Sequence, residues 1–378
     1  AAVWEQWQQF IQWIDFSPGQ IYALLIFLVL RGLGKSRVLG KALPLCDRLP
    51  GKVSRFVMNM MASKVPSVEG LTTSMKDMLE RAFEVQAHFN ISQFLQGENV
   101  PAAIQALQDS VAKHGPLGAD LLKFHLLAVT GVMCGIRGAE SMEGSLFMNN
   151  KNAGNLLLCI KHLQHLGSVS PASLYWSYIS ARGRQMAIAC SGLEFFTISR
   201  LLCITRASPE DSADLMQVWN DMSPVSKQLL TEHFLADGIH TSALIFEHLP
   251  AFFQNCRGNK AVGWRTALTI LHRLVVSLRQ RLLSQVLESK QCIINILDIV
   301  QFCKYVRNPK LLDTVHKHVR LESSGANSSR IVLQVDHQYW LCASELEFDD
   351  DPMDQVMQVL KKVDLTTMTL ARHKPPST

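Results

Sequence analysis

From about residue 50 to 320 the chain repeats one pattern: apolar residues three and four apart, bracketed by helix start and stop signals, with no clear alternation of period two. Side chains at that spacing share one face of an α-helix, whereas a half-buried strand needs every second residue apolar. Helix starts recur at Ser170-Pro171, at Ser208-Pro209 with Asp211 completing a capping box, and at Ser223-Pro224. A Ser side chain satisfies the first free N–H groups, and proline suits the first turn because its missing N–H would have no partner there. Pro101 and Pro116 open further stretches, and Gly97, Gly138, Gly167 and Gly238 close them. The longest pattern covers 261–289, where Leu268, Leu271, Val275, Leu278, Leu282 and Val286 form an apolar stripe opposite Arg265, Arg273, Arg279 and Arg281. The expected fold is all-α, an irregular multi-helix bundle or solenoid-like body. The three Ser-Pro starts are unequally spaced, by 38 and 15 residues, so they do not mark a repeat array.

The pattern changes beyond residue 320. The run Glu322 to Ser329 (ESSGANSS) reads as a linker. Arg330 to Val335 and Tyr339 to Ala343 then predict a small C-terminal β-hairpin turning at 336–338. A last helix follows, with Asp351 and Asp354 at its start and Lys361 and Lys362 at its end.

At the other end, Trp4, Trp7, Phe10, Ile11 and Ile14 mark one face of an amphipathic helix. Ser17-Pro18-Gly19-Gln20 opens a second helix, whose stretch Ile21 to Leu30 carries no charge. Arg31, Lys35, Arg37 and Lys41 follow before the next acid, Asp47. The apolar run from Pro18 to Leu33 is 16 residues, short of the ~20 that cross a bilayer comfortably. Trp flanks, an uncharged core and a basic exit together predict membrane attachment, either as a short span or as helices lying in the interface. The expected contact residues are Trp4, Trp7, Trp13, Ile21, Leu25, Phe27, Leu28, Leu30, Arg31, Lys35 and Arg37. The chain thus reads as a membrane-attaching pair of helices over 1–35, a basic connector over 36–55, and a helical body over 56–320. A linker over 321–330, a hairpin plus helix over 331–363 and a flexible tail over 364–378 complete it.

Charge supports this division. Residues 1–55 hold seven basic and three acidic side chains, so four of the net +5 charges sit there and the remainder is balanced. A nucleic-acid binder needs its basic stripe on the folded body, so no nucleic-acid partner is expected. Only 18% of residues are charged, against roughly 25% in an ordinary soluble domain. That scarcity predicts surface covered by lipid or by other protein subunits. Nine cysteines with no C-x-x-C pair read as reduced, buried thiols and favour the cytosol or an organelle matrix. Ala1 in first position fits a trimmed chain or an end left by transit-peptide removal.

The search for chemistry yields little. His233, Asp237 and His240, beside Glu232 and Glu247-His248, are the candidates for a zinc or iron site, but they meet no recognised ligand spacing. The run Arg31 to Ser36 imitates a phosphate loop, yet Val29 stands where the pattern requires glycine. Ile293 to Leu297 before Asp298 resembles the accompanying magnesium-binding strand, but its helical context and Asn295 argue for a helix. Tyr175, Trp176 and Tyr178 before Arg182 and Arg184 read as a protein interface. No cofactor is expected. The sequence predicts a non-catalytic, membrane-attached helical accessory subunit of a multi-subunit complex, on the matrix side of the mitochondrial inner membrane. The cytosolic face of another membrane is the alternative location. The alternative functions are a helical enzyme using the His233 region and a peripheral lipid-binding or tethering protein.

Overall fold

In the computed structural model, the described residues are 2–41, 43, 50–60, 64–98, 101–136, 147–236, 244–259, 262–288, 292–323 and 330–347. The chain divides into two units, Ala1–Cys203 and Ile204–Thr378. The 1–35 segment is built into the first unit rather than set apart from it, and the body expected over 56–320 is split between the two.

Unit one is helical. Its elements are α1 (Ala2–Ile14), α2 (Pro18–Leu33), α3 (Arg37–Gly40), α4 (Pro50–Met60), α5 (Pro66–Glu69) and α6 (Thr73–His88). They continue with α7 (Ile91–Leu95), α8 (Pro101–Ala112), α9 (Leu117–Cys134), α10 (Asn150–Leu163), α11 (Pro171–Gln185) and α12 (Gly192–Ile204). The sequence signals act locally. At α2 the Gln20 N–H donates to Ser17 Oγ at 3.3 Å, and the Ser17 N–H donates to Gln20 Oε1 at 2.9 Å. This reciprocal pair satisfies two donors that the helix start would leave free. Helix α2 packs against α4, α6 and α9, and its Phe27 ring lies 4.4 Å from Phe83 and 5.2 Å from Phe124. A second aromatic group ties α7 to α11: Phe94 sits 4.5 Å from Tyr178, whose hydroxyl donates to the Leu95 carbonyl, while the Tyr175 hydroxyl donates to that of Gly97. Gly97 has φ +68°, which a side chain disfavours, and an added Cβ would press on Cys203 and Ile179.

Unit two keeps the mostly helical character that the sequence predicts and adds a small sheet. It contains α13 (Pro209–Asn220), α14 (Pro224–Ala236), β1 (Leu244–Glu247), α15 (Leu249–Gly258), α16 (Gly263–Glu288), β2 (Cys292–Asn295) and α17 (Leu297–Tyr305). Then come α18 (Pro309–Thr314), a 3-10 turn, β3 (Val319–Ser323), β4 (Arg330–Val335) and α19 (His337–Glu347). The four strands form one sheet in the order β1-β2-β4-β3. Strands β1, β2 and β4 run parallel, with Phe246 opposite Ile294 and Ile294 opposite Ile331, and β3 closes the edge antiparallel to β4. Strands β1 and β2 have four residues each and lie inside the helical pattern. Four residues are too few for a period of two to stand out from the helical pattern around them.

The predicted hairpin is also corrected. Strand β4 exists, but its antiparallel partner is β3, within and before the stretch read as a linker. Residues 339–343 are helical. Asp336 Oδ1 accepts the Gln338 N–H at 3.0 Å and so starts α19, and Tyr339 stacks on His318 with centroids 3.9 Å apart. The terminal helix and tail read from 351 onward, and the stops at Gly138 and Gly238, lie outside the described residues.

Candidate functional site

Helices α1 and α2 meet at a bend of 108°, where Asp15 takes a left-handed φ of 49°. With 13 and 16 residues they are roughly 20 and 24 Å long, so neither alone spans a hydrocarbon core of about 30 Å. Among the described residues only α9 is long and apolar enough to cross a membrane, and 56% of it is buried inside the protein.

The helical period divides α2 into two faces. Ala23, Leu24, Ile26, Phe27 and Leu30 turn into the core. Ile21, Tyr22, Leu25, Val29 and Leu33 turn outward, Leu25 at 56% exposure and Val29 at 60%. On α1, Trp4 and Ile11 are exposed, whereas Phe10 and Ile14 are buried. The expected contact residues therefore separate. Trp4, Ile21, Leu25 and Lys35 are exposed; Trp7, Trp13, Leu28 and Arg31 are half-buried; Phe27 and Leu30 are covered by protein. The Arg37 side chain lies outside the described residues. Tyr22, Val29, Leu33 and Val38 are exposed as well, and the four-residue spacing of Ile21, Leu25 and Val29 marks the outer face of α2.

In the last turn of α2 and on α9, two buried side-chain nitrogens lack partners. Arg31 is half-buried, its Nη1 has no hydrogen-bond acceptor, and burial lowers its pKa. His125 of α9 is 2% exposed and its Nε2 is also unpartnered. Burial and then the nearby Arg31 charge push the His125 pKa down to about 4. No described carboxylate pairs with Arg31.

The other sequence candidates are placed as follows. His233 is buried on α14, its ring 5.2 Å from both Phe234 and Phe246, while Asp237 and His240 lie outside the described residues. Among the described residues no group of three His, Cys, Asp or Glu side chains could hold a metal ion. Arg31 to Leu33 close α2. Cys292 to Asn295, by contrast, is a strand, correcting the helical reading. Asp298 beyond it accepts the Val335 N–H at 2.6 Å, so it joins β4 to α17, and burial raises its pKa. Tyr175, Tyr178 and Arg182 are buried, which corrects their reading as an interface.

One cleft, of ≈ 270 Å³, was not anticipated. It is lined by Arg55, Asp77, Glu80, Arg81, Glu84, Lys113 and His114. Arg81 pairs with Asp77 at 2.9 Å, Lys113 pairs with Glu84, and Glu80 accepts from Asn59 at 2.7 Å. The bond from Lys113 holds Glu84 below the usual carboxylate range. These charges largely satisfy one another: Asp77, Glu80, Arg81 and Glu84 share one face of α6, and Arg55, Lys113 and His114 come from other parts of unit one.

Residues 2–312 match the family described as "Family of unknown function (DUF6829)", and the chain belongs to that family. No curated protein and no solved structure matches the chain.

Proposed function

We propose that this chain is a non-enzymatic protein that attaches to a membrane surface through α1 and α2 and presents its helical body to protein partners of a larger assembly. The observation that carries this reading is the concentration of exposed apolar side chains at the N-terminus. Trp4, Ile11, Ile21, Tyr22, Leu25, Val29, Leu33 and Val38 are all exposed within the first 38 residues. Scattered exposed apolar residues are ordinary, but a contiguous patch marks a binding surface. Lys35 and Lys41 at its basic end suit anionic head groups. The α2 inner face is occupied by protein core, so the attachment is interfacial rather than spanning. Seven described cysteines are free thiols, which supports a reducing compartment; the matrix side of the mitochondrial inner membrane is the location proposed.

Flotation of the full chain with anionic vesicles tests the reading. Co-flotation that weakens when Leu25 and Val29 are both replaced by alanine supports it. A chain that stays with the soluble fraction at every lipid composition refutes it.

A further inference from the structure

The charged cleft of unit one leaves one cation and one carboxylate unclaimed. Helices α4 and α6 supply most of its lining, and the turn between α8 and α9 adds Lys113 and His114. Arg81 is held from two sides: its Nε donates to Asp77 at 2.9 Å and its Nη1 to His114 Nδ1 at 3.1 Å. A guanidinium has no lone pair to offer, so the imidazole nitrogen accepts in that bond. The His114 side chain is only 4% exposed, which makes it a fixed anchor for Arg81. Lys113 pairs with Glu84. Two charges remain. Among the described residues Glu80 forms no ion pair and accepts only the neutral Asn59 amide, at 2.7 Å. Arg55 is exposed and has neither an ion pair nor a hydrogen bond from its side chain among those residues. The Asn59 bond fixes where the two lie. Arg55 stands one turn before Asn59 on the same face of α4, so it faces the stretch of α6 that carries Glu80. Both line one space of ≈ 270 Å³, yet they are not paired with each other. A lone anion at Arg55 would meet the carboxylates of α6, and a lone cation at Glu80 would meet the guanidiniums. A ligand carrying both signs avoids both repulsions and leaves the balance of three acids and three permanent cations intact.

We infer that this cleft binds a small zwitterion, its oxyanion on Arg55 and its primary ammonium on Glu80. A free α-amino acid has that chemistry, and so does the phosphoethanolamine head group of a lipid. The volume lies just below that of pockets for drug-sized ligands, which suits a smaller molecule. Asp77 and His114 act by position, holding Arg81 so that it does not claim Glu80. The site uses no residue of the α1–α2 surface and does not rest on the membrane reading.

The test titrates full-length wild type, Arg55→Gln, Glu80→Gln and Lys310→Gln by calorimetry. Lys310, exposed in unit two, is the charge control. The probes are L-alanine, its one-ended analogues N-acetyl-L-alanine and L-alaninamide, and phosphoethanolamine. The expected result is millimolar binding of a zwitterion by wild type. Each one-ended analogue of alanine binds about fivefold more weakly than alanine, the scale of a solvent-accessible ion pair. Arg55→Gln weakens zwitterion binding about fivefold and removes the distinction between L-alanine and L-alaninamide. Glu80→Gln weakens it as much and removes the distinction between L-alanine and N-acetyl-L-alanine, whereas Lys310→Gln binds as wild type does. A merely structural role of either residue would weaken all probes alike. Both substitutions are mild, since Arg55 is exposed and a glutamine oxygen still accepts from Asn59. Should either variant fail to fold, the analogue series on wild type decides. Binding of L-alanine supports the site with a free amino acid as its ligand, and binding of phosphoethanolamine alone supports it with the head group instead. If wild type binds neither, if alanine binds no better than its one-ended analogues, or if both variants bind as wild type does, the cleft holds only solvent and the inference is overturned.

Discussion

Replacing Phe27 by alanine and replacing Leu25 and Val29 by alanine should have opposite consequences, although all three positions lie within five residues of one helix. Phe27 is 1% exposed and wedged between the rings of Phe83 and Phe124. Its truncation leaves a cavity that those rings cannot collapse to fill, at about 3–5 kcal/mol. For a unit of this size each kcal/mol moves the midpoint by about 2–4 °C, so thermal unfolding should begin about 10 °C earlier. Leu25 and Val29 are 56% and 60% exposed. Their truncation removes five carbons, worth ~0.8 kcal/mol each when fully buried. Scaled by their exposure, that is about 2 kcal/mol of lost membrane transfer and no loss of folding stability. Vesicle partitioning should fall roughly 30-fold, since about 1.4 kcal/mol is a factor of ten. Circular dichroism melts and vesicle sedimentation on the same samples check both halves. Equal destabilisation by the two changes would refute the division of α2 into a core face and an outer face. Unchanged partitioning of Leu25→Ala/Val29→Ala would refute the membrane role of the outer face.

Two further outcomes follow from the interior. His125 titrates at about 4 in the folded protein against 6.5 for the free side chain, because burial and then Arg31 disfavour its charged form. Between these values the unfolded chain binds the extra proton and the native one does not. Stability is therefore complete above pH 6.5 and declines as pH falls toward 4, by about 3 kcal/mol in all. Urea melts across that range should show the decline, and His125→Leu should flatten it; an equal slope in the variant removes His125 as the cause. In unit two, Ile294 is fully buried at the centre of the sheet, facing Phe246 and Ile331 across the ladder. Ile294→Ala should cost about 2–5 kcal/mol in urea unfolding, whereas a neutral result would contradict a buried strand at 292–295.

What could be read from the residues depended on whether their physics was local. Ser17, Ser208 and Pro171 act on N–H groups within three or four residues, so their helix starts were legible. The stripe from Leu268 to Leu282 was legible because one face of one long helix is buried. The four-residue strands β1 and β2 were not. Their pairing partners lie 48 residues apart, as at Leu244 and Cys292, and four residues are too few for alternation to stand out. Strand β3 was lost to the linker because its partner is β4, beyond the Ser-Gly-Asn run. Arg31 was legible as a basic exit, but nothing near His125 marks it as a buried imidazole.

The scarcity of charge also takes a location. Of the sixteen large hydrophobic side chains exposed among the described residues, eight lie in the first 38, and the rest occur singly from Met60 to Leu341. Single exposures need no cover, so the exposed apolar surface that most calls for a partner is that of α1 and α2. Two helices joined at 108° define a plane, and their outer residues require an apolar partner that is broad and shallow. A bilayer interface meets that requirement over both arms without shape matching, whereas a protein partner would need a groove cut to the same angle. Arg31 sits in the last turn of α2, and Lys35 and Lys41 follow it in the chain. That order, apolar residues followed within one or two turns by cations, matches the depth profile of an anionic membrane surface. Salt sensitivity separates the two occupants further. Head-group attraction should weaken with ionic strength while the Leu25–Val29 contribution persists, so binding at high salt should fall without vanishing. Complete loss at high salt would leave the apolar face without a role.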